Sequence, residues 1–304
     1  MKYKSGWALV ALLCLLCFLI GNGALWGESL RIATYNLGNY NETGRTVDDR
    51  WLPDYPKPEA EKRALRRVIL TARPDVLAIQ EIGSPEFLEE LRLDLQAQGL
   101  DFSHSAHMTA VDGTRNTAVL SRIPFRFVAR HHDLNFKYFE KRERVKRGLM
   151  EIELAIGEES LDSLLLFVVH LKSRLSRDAK DTESKKRRIG EAQACRNYIV
   201  ERTIKKGHTY YCIAGDFNDH PDSSTLQRFC KRGDLRIGHR LQAYDKRGEV
   251  WTHFLARKGL YSTLDGFVVS PALMPKIKAG KGWIMGDLEG SDHRMVYFDI
   301  DLMQ

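Results

Sequence analysis

Short apolar runs recur along the chain from residue 31 onward, and their periods separate strands from helices. Arg31 to Tyr35 alternates around Ile32 and Thr34 and predicts a first strand. Met150, Ile152 and Leu154 alternate with Glu151 and Glu153, the pattern of a half-buried strand over Leu149 to Leu154. Val76 to Gln80, Thr117 to Leu120, Leu164 to Val169, Tyr210 to Ala214, Leu264 to Val269 and Met295 to Ile300 complete the predicted strands; the wholly apolar Leu164 to Val169 belongs in the middle of a sheet. Helical spacing appears in Glu59 to Ala72, where Ala64, Leu65, Val68, Ile69 and Ala72 share a face. A second helix starts at Ser84-Pro85, with proline in its first turn and Leu88, Leu91 and Leu95 as its stripe. A third is predicted over Thr182 to Thr203, with Ile189, Ala192, Cys195 or Arg196, and Ile199 facing inward. Residues 38 to 58 are rich in Gly, Asn, Asp and Pro and predict a long loop.

Strands outnumber helices, and no strict βαβ repeat is present. That combination predicts an α/β fold of two packed sheets with helices outside. No internal repeat or composition break follows residue 30, so residues 30–304 are expected to form one domain.

Several of these strands end abruptly in polar residues. Ile32 to Tyr35 runs into Asn36, Val76 to Gln80 into Glu81, and Leu166 to Val169 into His170. Tyr211 to Gly215 runs into Asp216-Phe217-Asn218, Asp265 opens Gly266 to Val269, and Ser291-Asp292-His293 opens Met295 to Phe298. Each has an ordinary reading as a turn, cap or buried partner. Side by side, these strand ends would form one polar cluster, where sheet enzymes place their chemistry. Glu81, Asp216, Asn218 and Asp292 offer oxygen ligands, which suit a hard cation such as magnesium. His170 and His293 suit proton transfer or stabilisation of a phosphoryl group. Beyond the first 30 residues there is no C-x-x-C, and the chain has no H-E-x-x-H, G-x-x-x-x-G-K-S/T or G-x-S-x-G. These absences argue against a zinc site of that spacing, a P-loop and a serine-hydrolase elbow.

The N-terminus changes the picture of where the protein works. Lys2 and Lys4 precede 14 apolar residues, Trp7 to Ile20, and then Gly21, Asn22, Gly23 and Ala24. The run is short of the about 20 residues of a membrane span. Residues 1–29 therefore read as a signal peptide, with an uncleaved anchor as the alternative. The expected location is outside the cell, in the periplasm or at the envelope. Cys195, Cys212 and Cys230 remain, an odd number with room for one bridge, and Cys212 in its apolar strand reads as a small buried hydrophobe. The formal charge is +7, and loss of Lys2 and Lys4 leaves +5. Basic residues concentrate in 137–147 and again in 172–188, where eight Lys or Arg face three acids. Such density fits a polyanionic substrate, and Tyr138 and Phe139 are placed to stack on bases.

Thr34-Tyr35-Asn36, Ile79-Gln80-Glu81, Val169-His170-Leu171-Lys172-Ser173, Gly215-Asp216-Phe217-Asn218, Leu264-Asp265-Gly266 and Ser291-Asp292-His293 occur in one order across residues 34 to 293. In this the chain resembles the endonuclease/exonuclease/phosphatase superfamily, most of all secreted bacterial, deoxyribonuclease-like members. The resemblance implies a four-layer α/β-sandwich of two packed mixed β-sheets flanked by helices. It implies Glu81 as principal Mg2+ ligand with Asn36 beside it and Asp292 as a further acidic contact; Mn2+ or Ca2+ are the alternative metals. Asp216 and Asn218 would orient the attacking water and the phosphate, Asp265 would hold His293, and His293 and His170 would face the phosphate. Asn116, Lys172 and Arg174 are the substrate-side candidates. Gly38 stands where apurinic-site endonucleases usually carry an acidic residue, and those enzymes lack a histidine at the place of His170, so the repair subgroup fits less well. The expected activity is metal-dependent cleavage of nucleic-acid phosphodiesters. A phosphatase or phosphodiesterase acting on a small-molecule or lipid-headgroup phosphoester is the alternative. No stable protein partner is indicated, and a monomer is expected.

Overall fold

The computed structural model describes residues 28–303 except 112, 159 and 160; the leader expectation falls outside these residues. Thirteen strands form two mixed sheets: β1 (Ser29–Tyr40), β2 (Val76–Ile82), β3 (His104–Met108), β4 (Asn116–Ser121), β5 (Phe125–His131), β6 (Leu149–Glu158), β7 (Leu161–His170), β8 (Tyr211–Asp216), β9 (His239–Arg240), β10 (Ala243–Tyr244), β11 (Asp265–Val269), β12 (Gly282–Met285) and β13 (Met295–Asp301). One sheet has the order β10-β12-β13-β1-β2-β4-β3, the other β9-β11-β8-β7-β6-β5. In the first, β1 pairs antiparallel with β13 and parallel with β2. In the second, β8 pairs parallel with β7 and antiparallel with β11.

Side-chain alternation explains the layering. Ile32, Val76, Ala78, Val119 and Phe298 of the first sheet meet Ile152, Leu166, Val168, Ala214 and Phe267 of the second in the central core. The intervening residues Ala33, Tyr35, Leu77 and Ile79 point the other way and pack on helices α1 (Glu59–Ala72) and α2 (Pro85–Ala97). Leu165, Phe167, Val169, Tyr211 and Ile213 likewise pack outward on α3 (Lys185–Arg202) and α4 (Ser224–Cys230). Central strands bury both faces, which is why they read as unbroken apolar runs. The result is the expected four-layer sandwich.

Three expectations need correction. Residues 38 to 58 are not a featureless loop: β1 continues to Tyr40, and Thr43–Val47 pairs with Arg50–Tyr55 as a hairpin. Asp48 and Asp49 turn it with left-handed φ values of 48° and 59°, so the turn residues were legible, but the polar arms were not. On α3 the buried face includes Arg188 and Glu191, whereas Ile189 is only half-buried. A pattern search for apolar residues passes over a helix face that buries charge. Finally, Cys195, Cys212 and Cys230 are all buried and unpaired, so no bridge forms among them.

Candidate active site

Polar residues late in β1 and β2, at the ends of β7 and β8, at the start of β11 and in the segment before β13 converge at one edge of the sandwich. The register shows how: His170 stands opposite Asp216, Asp216 opposite Asp265, and Asn36 opposite Gln80, one residue before Glu81. Gly215 and Gly266 form the neighbouring pair. Gly215 adopts φ 146°, and a Cβ there would strike the Val169 carbonyl, so glycine lets β8 lie close to β7 just before the acid.

Asp216 is buried at the centre. Its Oδ1 accepts the Asn218 backbone N–H at 2.8 Å, and its Oδ2 accepts the side-chain amides of Asn218 at 3.0 Å and Asn36 at 3.1 Å. Burial, then the charge of Asp265, pushes its pKa up to about 7, against the opposing pull of His293. His293 Nδ1 lies 2.9 Å from Asp265 Oδ2, and its Nε2 lies 4.0 Å from Asp216 Oδ2. Burial disfavours its charged form, but Asp265 and then Asp216 outweigh burial and hold its pKa well above the usual imidazole value. His170 is the opposite case. Its Nε2 is 3.6 Å from Asp216 Oδ2, yet burial, with Arg147 and His293 adding to it, drives its pKa well below the usual value. The site therefore pairs a cationic histidine with a neutral one around a single carboxylate.

Glu81 sits with left-handed φ 60° at the bulge where β2 leaves its register with β1. Its Oε2 accepts the Asn39 N–H at 3.0 Å. Its Oε1 is 3.7 Å from Arg115 Nε and 3.8 Å from His170 Nε2. Asn36 Oδ1 accepts the Gly38 N–H at 3.0 Å while its amide faces Asp216. Asp292 is 57% exposed and 3.7 Å from His253 Nε2. Partial desolvation raises its pKa, but the neighbouring His253 and the charge of His293 outweigh it and hold the carboxyl below its usual range.

Among the described residues, two groups of His and acidic side chains bring ligand atoms within 4.8 Å of one another: His253, Asp292 and His293, and Asp216, Asp265 and His293. Glu81 belongs to neither. Its donors and those of Asn36 and Asp216 are oxygens, which fit a hard divalent cation.

The substrate-side candidates are less exposed to the site than expected. Asn116 is buried, its amide donating to Gly83 O at 2.7 Å and its oxygen accepting the Ala110 N–H at 2.9 Å, so it orders the loop after β2. Lys172 Nζ turns back onto Ser173 O and Oγ, each at 3.0 Å. Arg174 lies 3.9 Å from Asp219.

Three contributors escaped the sequence pattern. Thr252 Oγ donates to Asp265 Oδ2 at 2.7 Å and accepts the N–H groups of Leu264 and Asp265 at 2.9 and 3.0 Å. The His253 ring lies 4.6 Å from that of His293, tilted by 52°. Arg240, half-buried on β9 beside β11, donates to the Asp265 carbonyl at 2.7 Å. Thr252 and His253 precede no long apolar run; the strand that carries His253 spans only His253–Leu255. Arg240 belongs to a two-residue strand, too short for any periodicity.

Comparison with known proteins agrees with this fold. No curated protein sequence matches the chain. Solved structures with the same fold include an endonuclease/exonuclease/phosphatase family protein from Leptotrichia buccalis (16% identity, TM-score 0.61, covering 89% of this chain and 99% of that one). Truncated Caenorhabditis elegans TDP2 matches at 14% identity and TM-score 0.60, covering 92% of this chain and 100% of that one. Sphingomyelinase C from Streptomyces griseocarneus matches at 13% identity and TM-score 0.63, covering 90% and 100%. The sequence profile described as the Endonuclease/Exonuclease/phosphatase family spans residues 33–293, and the chain belongs to that family of phosphoester hydrolases, which are generally metal-dependent.

Proposed function

We propose that the protein is an exported, metal-dependent nuclease that cleaves nucleic-acid phosphodiesters by attack of water. The carrying observation is the convergence of two buried histidines on Asp216, with His170 Nε2 3.6 Å and His293 Nε2 4.0 Å from its Oδ2. In this reading Asp216, steered by the amides of Asn36 and Asn218, orients the water and takes its proton. Protonated His293, braced by Asp265, stabilises the phosphoryl oxygens and returns a proton to the leaving oxygen as the P–O bond breaks. Neutral His170 offers an Nε2 to the phosphate. Glu81, with Asn36 beside it, would hold a divalent cation, which when bound supplies positive charge to the phosphoryl oxygens. Nucleic acid is favoured over a lipid headgroup by the two basic segments that flank the end of β7. The basic start and 14-residue apolar run of the N-terminus support export, and the mature chain is expected to begin between about residues 24 and 30.

The test is a panel of oligonucleotide, bis(p-nitrophenyl) phosphate and p-nitrophenyl phosphate, with chelator and then added magnesium or manganese. Cleavage of the oligonucleotide should vanish with chelator and return with metal, and Glu81→Ala should weaken metal binding more than other single changes. His293→Ala should slow single-turnover cleavage roughly a hundred- to ten-thousand-fold with folding intact. Strong phosphomonoester hydrolysis without oligonucleotide cleavage would refute the nuclease reading, and full activity in excess chelator would refute the metal.

A further inference from the structure

The two basic segments that flank the site in sequence meet in one cleft in space. It has a volume of about 590 Å³, and Tyr138, Arg144, Lys146, Lys172, Arg177 and Arg187 are among its walls. Arg187 is neutralised by Glu143 at 3.1 Å and lies over the Tyr138 ring at 4.3 Å. Asp178, also on the wall, is engaged by the Tyr138 hydroxyl at 3.1 Å and the Lys180 N–H at 2.9 Å. The side chains of Arg144, Lys146 and Arg177 make no ion pair or hydrogen bond among the described residues. Three cations without partners thus line a concave wall, where a merely solvated charged face would spread outward.

The cleft adjoins the phosphoryl site through a single peptide. The Leu171 carbonyl, next to His170, accepts the Asn218 amide at 2.9 Å from the catalytic side and Arg147 Nη1 at 3.4 Å from the other. The following N–H, of Lys172, and the N–H of Lys146 are gathered by the two oxygens of buried Glu191, at 2.8 and 3.1 Å. Glu191 therefore ties the cleft wall to the strand end that carries His170. Burial, with Arg147 and Lys146 crowding beside it, lowers the Lys172 pKa to about 8, and an anion in the cleft would relieve that crowding.

We propose that this cleft is a second phosphate subsite, which holds a backbone phosphate of the same polynucleotide chain away from the scissile one. The assignment rests on the nuclease reading and sharpens it, since it makes a chain with more than one phosphate the preferred substrate. The Arg187 guanidinium, whose inner face covers the buried Tyr138 ring, offers its outer face to the intervening nucleotide.

The experiment compares wild type with the triple variant Arg144→Gln, Lys146→Gln, Arg177→Gln on a short single-stranded oligonucleotide and on bis(p-nitrophenyl) phosphate, which has one phosphate. The ratio of the two kcat/KM values should fall at least roughly tenfold, and the slope of log kcat/KM for the oligonucleotide against log salt should shallow by about two. A control triple, Lys231→Gln, Arg232→Gln, Arg236→Gln, removes the same charge from a hairpin outside the cleft. An unchanged ratio, an equal loss on both substrates, or an equal fall in the control overturns the subsite. If wild type cleaves the small ester and no oligonucleotide, the nuclease reading falls instead. Binding of inorganic tripolyphosphate then judges the cleft: weaker binding by the triple variant sustains an anion subsite, and equal binding removes it.

Discussion

At the residue scale, the polar positions at strand ends were legible because an apolar run that stops at a charge leaves few structural explanations. Their supports were not, because a threonine thirteen residues before its aspartate carries no signal in one sequence. Thr252 shows the difference. Its hydroxyl satisfies two backbone N–H groups and one oxygen of Asp265. Thr252→Val should cost about 1–3 kcal/mol, the price of orphaned buried groups, and should slow single-turnover cleavage less than Asp265→Asn does. Thermal melts and quench-flow would show both. Asp216 supports a pH prediction for the metal-free protein. Its folded pKa of about 7 exceeds the about 3.9 of an unfolded aspartate, so the folded state binds the proton more tightly. Stability should fall as pH rises through that window and stay lower above it. His293, raised above its unfolded value, adds stability below about pH 6.5 that is lost as pH climbs through its folded pKa. Asp216→Asn is neutral throughout. Its melting temperature relative to wild type should therefore rise between pH 4 and pH 8 while cleavage is lost. A gap that does not change with pH would contradict the assigned shift.

At the element scale, helices α1 and α2 followed from their apolar faces because those faces pack against the first sheet. Helix α3 was legible from Ala192, Cys195 and Ile199, which it buries, but its buried Arg188 and Glu191 were not, because they hold loops rather than fill a core; Arg188 bonds Asp219 at 3.2 Å and Glu191 the Lys146 and Lys172 amides. The hairpin Asn135–Tyr138 with Lys141–Arg144 was equally hidden, since its strands are four residues long and mostly charged. Strand β8 offers a sharper test of element packing. Gly215→Ala sets a methyl against the Val169 backbone, which cannot yield, at φ 146°. At Gly266 the obstacle is the guanidinium of Arg240, a side-chain end that can move, at φ 143°. Gly215→Ala should cost at least about 1–3 kcal/mol by forced overpacking, and more than Gly266→Ala. Denaturant melts of both variants measure the order, and the reverse order would refute the account.

At the scale of the whole molecule, the proposed catalytic set is divided between the sheets. Asn36, Glu81 and His293 belong to strands or flanks of the first, and His170, Asp216 and Asp265 to the second. The central core packs these two slabs face to face, and Phe267 meets Phe298 across it edge-to-face at 4.7 Å. Phe267→Ala should lower stability by about 3–5 kcal/mol. It should also slow cleavage at temperatures where the protein is still folded, which circular dichroism beside a rate measurement would show. Turnover in this enzyme is thus a gauge of alignment between two plates. A slip too small to disturb either sheet would part the Asp265–His293 couple and be read out as lost catalysis before any spectroscopic sign of unfolding.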